Sequence, residues 1–214
     1  MKTEDSTYRD GDVVLNGVLA YDTAIDGKRP GFLVFPEAWG LGEHAIDRAK
    51  MLAHLGYVAL AADPYGGRRV ANDMPGVMAL LGDMLEVPTK IRARARAALI
   101  ALQKLPQVDT HRIAAVGYCL GGAMVLELAR DGAEVACAVS FHGTLTTNMP
   151  AKLNTVKAKL LVCHGAEDPI VQPDQVAAFE SEMRAAGADW QVNVYGGTVH
   201  SFTNPDAGKT VKLD

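Results

Sequence analysis

The sequence predicts an α/β protein in which helices cover both faces of a doubly wound, mostly parallel sheet. Two observations predict it. Short apolar runs alternate with longer segments whose apolar residues recur at helical spacing, which is the pattern of repeated strand–helix–strand units. The 214 residues, 49% of them apolar, are also enough to bury one core. We therefore expect a single domain over residues 1–214.

The first half of the chain begins with a predicted hairpin, whose turn is Asp10-Gly11. A helix over 43–55 follows from the spacing of Ala45, Ala49 and Leu52. The predicted elements are, in order, strands over 7–10, 13–21 and 32–35, the helix over 43–55 and a strand over 57–62. A polar turn over 26–30 is expected to precede the third strand.

The second half continues the alternation of helices and strands. Its predicted elements are helices over 74–85 and 88–105, a strand over 113–116, a helix over 123–130, strands over 135–141 and 159–163, a helix over 173–186 and a strand over 191–195. Four basic residues, Lys90, Arg92, Arg94 and Arg96, are spread around the second helix. We interpret them as a solvated surface rather than an anion site.

Charge and composition exclude several kinds of partner. The formal net charge is −4 at pH 7, whereas nucleic acid or an anionic membrane would require a basic face. The start, MKTEDSTYRD, lacks the apolar stretch of a signal peptide, and no apolar run is long enough to span a bilayer. The three cysteines form no metal-ligand spacing, which favours free thiols in a reducing compartment. We expect a cytoplasmic protein that acts on a small molecule.

The spacing Gly117-x-Cys119-x-Gly121 lies between a predicted strand and a predicted helix. This is the nucleophile-elbow pattern with cysteine in place of serine. The glycines leave room for a sharp turn, and the start of the helix favours a thiolate and a developing oxyanion. The alternative is a buried structural cysteine at the end of an ordinary strand.

A nucleophilic cysteine needs a base and a group that orients the base. Cys119 is followed in the chain by Asp168 and then by His200, in the order nucleophile, acid, base. Each comes directly after a predicted strand, so parallel strands would bring them to the same edge of the sheet. Glu167 is the alternative acid. No Walker loop, dinucleotide fingerprint or metal triad is present, so we expect no cofactor and no metal.

An oxyanion hole requires two fixed N–H donors near the carbonyl that is attacked. The N–H of Leu120, directly after the cysteine, is the first candidate. The N–H of Ala38, in the loop after the strand over 32–35, is the second. Trp39, next to it, either lines the pocket or packs over the elbow.

Six motifs distributed along the chain resemble the dienelactone hydrolase family of α/β-hydrolases. They are PEAWG at 36–40, ADPYGG at 62–67, GYCLGG at 117–122, FHG at 141–143, HGAEDP at 164–169 and HSFTNP at 200–205. The resemblance implies an α/β-hydrolase fold with Cys119 as nucleophile, His200 as base and Asp168 as acid. It also implies that Glu37 contacts the resting thiol and moves away when substrate binds.

The resemblance further suggests how a substrate carboxylate would be held. Arg68 and Arg69 are the plausible equivalents of the family's carboxylate-binding arginines, with Ser201 beside the base. The family usually continues past the histidine loop into a final helix, and this chain ends at Asp214. We therefore expect the C-terminal helix to be missing, and the uncovered face to lower stability or to turn a monomer into a homodimer.

The function expected from these residues is hydrolysis of a lactone or ester bond in a small, anionic substrate such as dienelactone. Cys119 would form an acyl-enzyme at its thiol. The first alternative is a broad carboxylesterase or thioesterase. The second is a catalytically silent α/β-hydrolase fold that binds a ligand.

Overall fold

The computed structural model describes residues 1–85 and 87–207, and eight strands of this part form one sheet. The strands are β1 Lys2–Asp10, β2 Val13–Tyr21, β3 Arg29–Phe35, β4 Val58–Ala61, β5 Val108–Tyr118, β6 Cys137–Phe141, β7 Lys159–Gly165 and β8 Asp189–Tyr195. The helices of the same part are α1 Glu43–His54, α2 Met74–Leu85, α3 Pro88–Gln103, α4 Leu120–Arg130 and α5 Pro173–Ala186.

The order of the strands in the sheet is β1-β2-β4-β3-β5-β6-β7-β8. β1 pairs antiparallel with β2, β2 pairs antiparallel with β4, and the remaining neighbours are parallel. The predicted doubly wound, mostly parallel sheet with an antiparallel N-terminal edge is confirmed. Because β4 and β5 lie on opposite sides of β3, the order reverses there, which is where open α/β sheets bind their ligands.

The sheet is buried on both faces. Along β3, Leu33 and Phe35 belong to a large apolar cluster shared with α3, α4 and α5, whereas Val34 between them belongs to a second cluster shared with α1. Successive residues of a strand point to opposite faces, so this alternation follows from the strand geometry. Helices therefore cover both faces, as the sequence predicted.

Several elements begin earlier than the sequence predicted. β3 starts at Arg29, inside the expected polar turn, because Arg29 already pairs with Val108 at the start of β5; its buried side chain also donates a hydrogen bond to the Asp22 carbonyl at 2.8 Å. β5 starts at Val108, and α4 starts at Leu120. The start of α4 places its first N–H groups directly after Cys119.

The expectation of a solvated basic face on α3 is wrong for two of its arginines. Arg92 lies 2.8 Å from a carboxylate oxygen of Glu127, and Arg94 lies 2.8 Å from one of Asp10. Both arginine side chains are mostly buried, because α3 packs against α4 and the N-terminal hairpin. Lys90 is exposed as expected.

None of the described helices has the length and hydropathy needed to cross a bilayer. The expected absence of a C-terminal helix concerns the end of the chain, where positions 208–214 lie outside the described residues.

Candidate active site

Cys119 occupies a strained turn between β5 and α4. Its backbone angles are φ 53° and ψ −113°, in a region that residues other than glycine rarely adopt. The residue is half-buried, and it caps α4 at the end where the helix dipole is positive. The geometry is that of a nucleophile elbow, as the glycine spacing predicted.

Two glycines make this turn possible. A Cβ atom on Gly117 would lie 1.9 Å from the carbonyl oxygen of Gly121, and one on Gly121 would lie 2.2 Å from the carbonyl oxygen of Phe35. Both partner atoms are backbone atoms that cannot move without disrupting the sheet edge. The strand and the helix can therefore approach this closely only where the side chains are absent.

A buried hydrogen bond joins His200 to Asp168. Nδ1 of His200 lies 2.8 Å from Oδ2 of Asp168, and the two residues are 5% and 4% exposed. The other carboxylate oxygen of Asp168 accepts the N–H groups of Ile170 at 2.9 Å and Val171 at 3.3 Å. Glu167, the alternative acid, is exposed. Of the two carboxylates, Asp168 is the one that contacts the histidine.

The hydrogen bonds of this pair shift both pKa values. Burial raises the pKa of Asp168, but the bonds from His200 and from the Ile170 and Val171 N–H groups lower it by more. Burial lowers the pKa of His200, but Asp168 and the nearby Cys119 sulfur together raise it to about 10. The pair therefore favours a charged imidazolium next to a carboxylate.

Asp168 occupies Nδ1 of His200, which leaves Nε2 for another partner. Nε2 is buried and has no hydrogen-bond partner of good geometry among residues 1–85 and 87–207, although the Cys119 sulfur is close enough to affect the pKa of the ring. Cys119 and His200 line the same cavity.

The two expected oxyanion donors lie at the first residue of α4 and in the loop after β3. Within the described part of the chain, neither the N–H of Leu120 nor that of Ala38 donates a hydrogen bond. The N–H of Gly121 donates to the carbonyl of Pro36 at 2.9 Å, and the hydroxyl of Tyr65 donates to the carbonyl of Ala38 at 2.8 Å. These bonds fix the loop after β3 against the start of α4.

Glu37 is buried at the edge of the site and lines the same cavity as Cys119. Its Oε2 atom accepts a hydrogen bond from the Asn204 amide at 2.8 Å, and its Oε1 atom is buried with no partner among the described residues. In the same part of the chain no hydrogen bond joins Glu37 to the Cys119 thiol. Asn204, which lies 167 positions away in sequence, holds the carboxylate instead.

His142 lies at the edge of the site, in the FHG motif directly after β6. The structure places its buried ring between the Cys119 turn and the loop that carries His200, with the His142 and His200 ring centres 5.0 Å apart. Its backbone φ is 42°, another left-handed angle at the carboxyl end of a strand. The sequence signal that could have indicated this is its position directly after β6.

A cavity of about 720 Å³ opens above these groups. It has the size of a small-molecule site and is lined mostly by apolar side chains. Residues with predicted roles in the lining are Glu37, Ala38, Trp39, Cys119, Leu120, His200 and Ser201. Within the described ranges, no group of three or more His, Cys, Asp or Glu side chains could hold a metal ion.

The comparison with known proteins agrees with the motifs. The model of the dienelactone hydrolase family matches residues 15–212. The chain belongs to the dienelactone hydrolase family. It is thus a hydrolase of the α/β-hydrolase fold, and its family is one of carboxylic ester hydrolases that open lactone and ester bonds.

Individual relatives support this assignment over most of the chain. A dienelactone hydrolase-like promiscuous phosphotriesterase from metagenomic libraries is 42% identical, with a TM-score of 0.94 over 98% of this chain and 87% of that one. The Escherichia coli (strain K12) protein "Putative carboxymethylenebutenolidase" is 27% identical, over 83% of this chain and 69% of its own. A Bradyrhizobium protein, "Probable 2-oxo-3-(5-oxofuran-2-ylidene)propanoate lactonase", is also 27% identical, over 94% and 86%.

Two residues expected from the dienelactone hydrolase resemblance lie outside the cavity. Arg68 lies 3.1 Å from the Asp5 carboxylate at the protein surface. The Arg69 guanidinium donates to the carbonyls of Tyr65 and Gly66 in its own turn. Neither side chain lines the cavity, so the expectation that they bind a substrate carboxylate is wrong.

The physical reason is the shape of the turn that carries the two arginines. The Asp63 carboxylate accepts the N–H groups of Tyr65, Gly66 and Arg68, which curls the segment, and Arg68 has a left-handed φ of 53°. This conformation directs Arg68 toward β1, where it reaches Asp5.

Proposed function

We propose that this protein hydrolyses carboxylic esters or lactones through a thioester on Cys119, with His200 as general base and Asp168 as the group that orients it. The observation that carries the proposal is the buried 2.8 Å contact between His200 and Asp168 beside an elbow cysteine in one cavity. The family assignment and its ester-hydrolase relatives support the same reaction class.

In the acylation step, the Cys119 proton is already held on Nε2 of His200, and the sulfur attacks the carbonyl carbon as a thiolate. The carbonyl oxygen becomes an oxyanion, which the N–H groups of Leu120 and Ala38 stabilise. Removing one such donor typically costs about 3 kcal/mol of transition-state stabilisation. The C–O bond to the leaving group then breaks, the leaving oxygen takes the proton from His200, and a thioester remains.

In the deacylation step, His200 accepts a proton from water as the water oxygen attacks the thioester carbonyl. The same donors hold the second oxyanion. The C–S bond breaks, the sulfur departs as a thiolate beside the His200 imidazolium, and the carboxylic acid product leaves. Asp168 remains ionised throughout and stabilises the imidazolium in both steps.

Glu37 is proposed to adjust the site to its substrate. It lies in the cavity wall with one unpartnered carboxylate oxygen among the described contacts. A carboxylate near the sulfur disfavours the thiolate electrostatically. Rotation of Glu37 from Asn204 toward or away from Cys119 would change how reactive the sulfur is.

The silent-fold alternative receives no support from the site. A binding module has no need for a strained elbow cysteine and a buried histidine–carboxylate pair. A thioesterase would use the same residues, so only substrates separate it from a carboxylesterase or lactonase.

The test is the release of p-nitrophenol from p-nitrophenyl butyrate by the wild type and by two alanine variants. Cys119→Ala should lower kcat/KM by at least about 1,000-fold, because no other group replaces the sulfur. Cys137→Ala removes a half-buried thiol that does not line the cavity, so it should keep near wild-type activity. Equal activity of Cys119→Ala and wild type would refute the proposal, and loss of dienelactone absorbance should be assayed in parallel.

A further inference from the structure

The cavity has an apolar wall formed by one face of α2. Met74, Val77, Met78 and Leu81 follow helical spacing and all line the cavity, together with Ile91 of α3. Met78 is 59% exposed, and Met74 is 40% exposed. Apolar side chains left open beside a reactive centre indicate a surface that an apolar ligand covers.

The acidic residues of the described lining are Glu37, Glu127 and Asp206, and its one cation, the His200 imidazolium, is already paired with the Asp168 carboxylate at 2.8 Å. Glu127 is neutralised by Arg92 and Arg130, each 2.8 Å away. Glu37 is held by the neutral amide of Asn204. Among the described residues, no lysine or arginine lines the cavity. A carboxylate brought here would lose its water, meet the Glu37 carboxylate and find no cation in the described lining except the His200 imidazolium, which Asp168 already pairs at 2.8 Å.

Another part of the lining supplies neutral polar groups. Thr144, Thr146, Thr147 and Asn148 line the cavity in the loop after β6. Hydroxyl and amide groups can hydrogen-bond the ester oxygens of a substrate without a charge. The described lining therefore combines neutral polar groups with an apolar stripe, and its one cation, the His200 imidazolium, is already paired with Asp168.

We infer that the substrate of this hydrolase is a neutral ester or lactone whose apolar chain lies along the α2 stripe of Met74, Val77, Met78 and Leu81, rather than an anionic lactone. The inference rests on the proposed function, since it concerns the acyl group that Cys119 receives. On this inference, substrate selectivity depends on the apolar face of α2 and not on Arg68 and Arg69, which lie outside the cavity.

The experiment compares two esters that differ at one end of the acyl chain. p-Nitrophenyl hexanoate ends in a methyl group, and the mono-p-nitrophenyl ester of adipic acid ends in a carboxylate on a chain of equal length. We expect wild-type kcat/KM, corrected for the hydroxide reaction of each ester, to favour hexanoate by at least about tenfold, which corresponds to about 1.4 kcal/mol. A smaller preference, or a preference for the adipate ester, overturns the inference.

A charge placed on the stripe should reverse part of this preference. In Met78→Lys the ammonium would face the end of the acyl chain, so the ratio of hexanoate to adipate kcat/KM should fall by at least about threefold. Met51→Lys is the matched control, because Met51 is 55% exposed on α1 and does not line the cavity. An equal ratio in Met78→Lys and Met51→Lys overturns the assignment of the stripe.

The same assay separates this inference from the function on which it rests. If Cys119→Ala abolishes hydrolysis of both esters but the wild type lacks the expected preference, the proposed function stands and the substrate class is wrong. If the folded wild type hydrolyses neither ester, the proposed function fails and the inference falls with it.

Discussion

The backbone N–H of Cys119 lies 3.1 Å from Nδ1 of His142 and shares its hydrogen between that ring and the Phe141 carbonyl at 3.0 Å. Since Nδ1 accepts, the neutral ring carries its proton on Nε2, which lies 2.8 Å from the Thr203 hydroxyl. Thr203 is three positions after His200. One buried imidazole thus connects the elbow to the histidine loop.

Removing this connection should loosen the geometry of both groups. In His142→Ala the N–H of Cys119 loses one acceptor and the loop loses its bond, so we expect kcat/KM to fall about 10- to 100-fold, the equivalent of one or two such bonds. His142→Asn should recover part of this loss, because asparagine tolerates the left-handed φ of 42° and its oxygen can replace Nδ1. Steady-state ester hydrolysis gives kcat/KM for both variants. Equal kcat/KM values for His142→Ala and the wild type would contradict the positioning role of His142.

The same histidine should make the protein sensitive to acid. Burial, reinforced by His200, lowers the pKa of His142 to about 3. The unfolded chain gains the proton near pH 6.5 and the folded chain only near pH 3, so the free energy of unfolding should fall across this window. At the acidic end of this window, near pH 3, the free energy of unfolding would have fallen by about 4 to 5 kcal/mol. Urea unfolding at pH 7 and pH 5 should show a smaller difference for His142→Asn than for wild type.

Asp168→Asn should lower kcat by about 10³- to 10⁴-fold, because an amide can hold the wrong tautomer of His200 and cannot stabilise its charge. Glu167→Gln changes the exposed neighbouring carboxylate and is the matched control, with activity close to wild type. If Glu167→Gln is the more damaging change, the assignment of the acid is incorrect.

The loss of stability caused by Asp168→Asn should also depend on pH. Since the pKa of His200 is raised from 6.5 to about 10, its interaction with Asp168 stabilises the fold fully below about pH 6.5 and is lost as the pH rises through about 10. The Tm difference between wild type and Asp168→Asn should therefore be larger at pH 6 than at pH 10. A difference that grows with pH would contradict the ion pair.

Gly117→Ala should prevent folding, because its Cβ would lie 1.9 Å from the backbone oxygen of Gly121. Gly82→Ala in α2 meets no atom within 4 Å and should instead stabilise the fold by about 0.5–1 kcal/mol. Circular dichroism melts of the two variants test this contrast. A Gly117→Ala protein that melts at the wild-type temperature would show that the turn at Cys119 has room for a Cβ atom at position 117.

The sequence was sufficient for the elements that place the site. Cys119, Asp168 and His200 each follow a strand, and parallel strands deliver their carboxyl ends to one edge, so periodicity and chain order predicted their meeting. The glycines around Cys119 added the turn geometry. Strand periodicity and glycine spacing depend on residues close together in the sequence, so they can be recognised without the tertiary structure.

Contacts between distant segments could not be predicted in this way. The direction of Arg68 depends on the left-handed φ and the Asp63 bonds of its own turn, and Arg94 is buried by Asp10, 84 positions away. The Glu37 bond to Asn204 likewise joins the two ends of the chain. In each case the partner is set by packing, for which spacing holds no signal.

The most direct test of the account is to identify the acylated residue during turnover. Wild type mixed with p-nitrophenyl butyrate would be acid-quenched within one turnover, digested with trypsin and analysed by mass spectrometry. Cleavage after Arg112 and Arg130 gives a peptide, 113–130, whose one cysteine is Cys119. We predict a butyryl group on that peptide that disappears as substrate is exhausted. A butyryl group found on another peptide during turnover would contradict the account. So would turnover by Cys119→Ala at the wild-type rate.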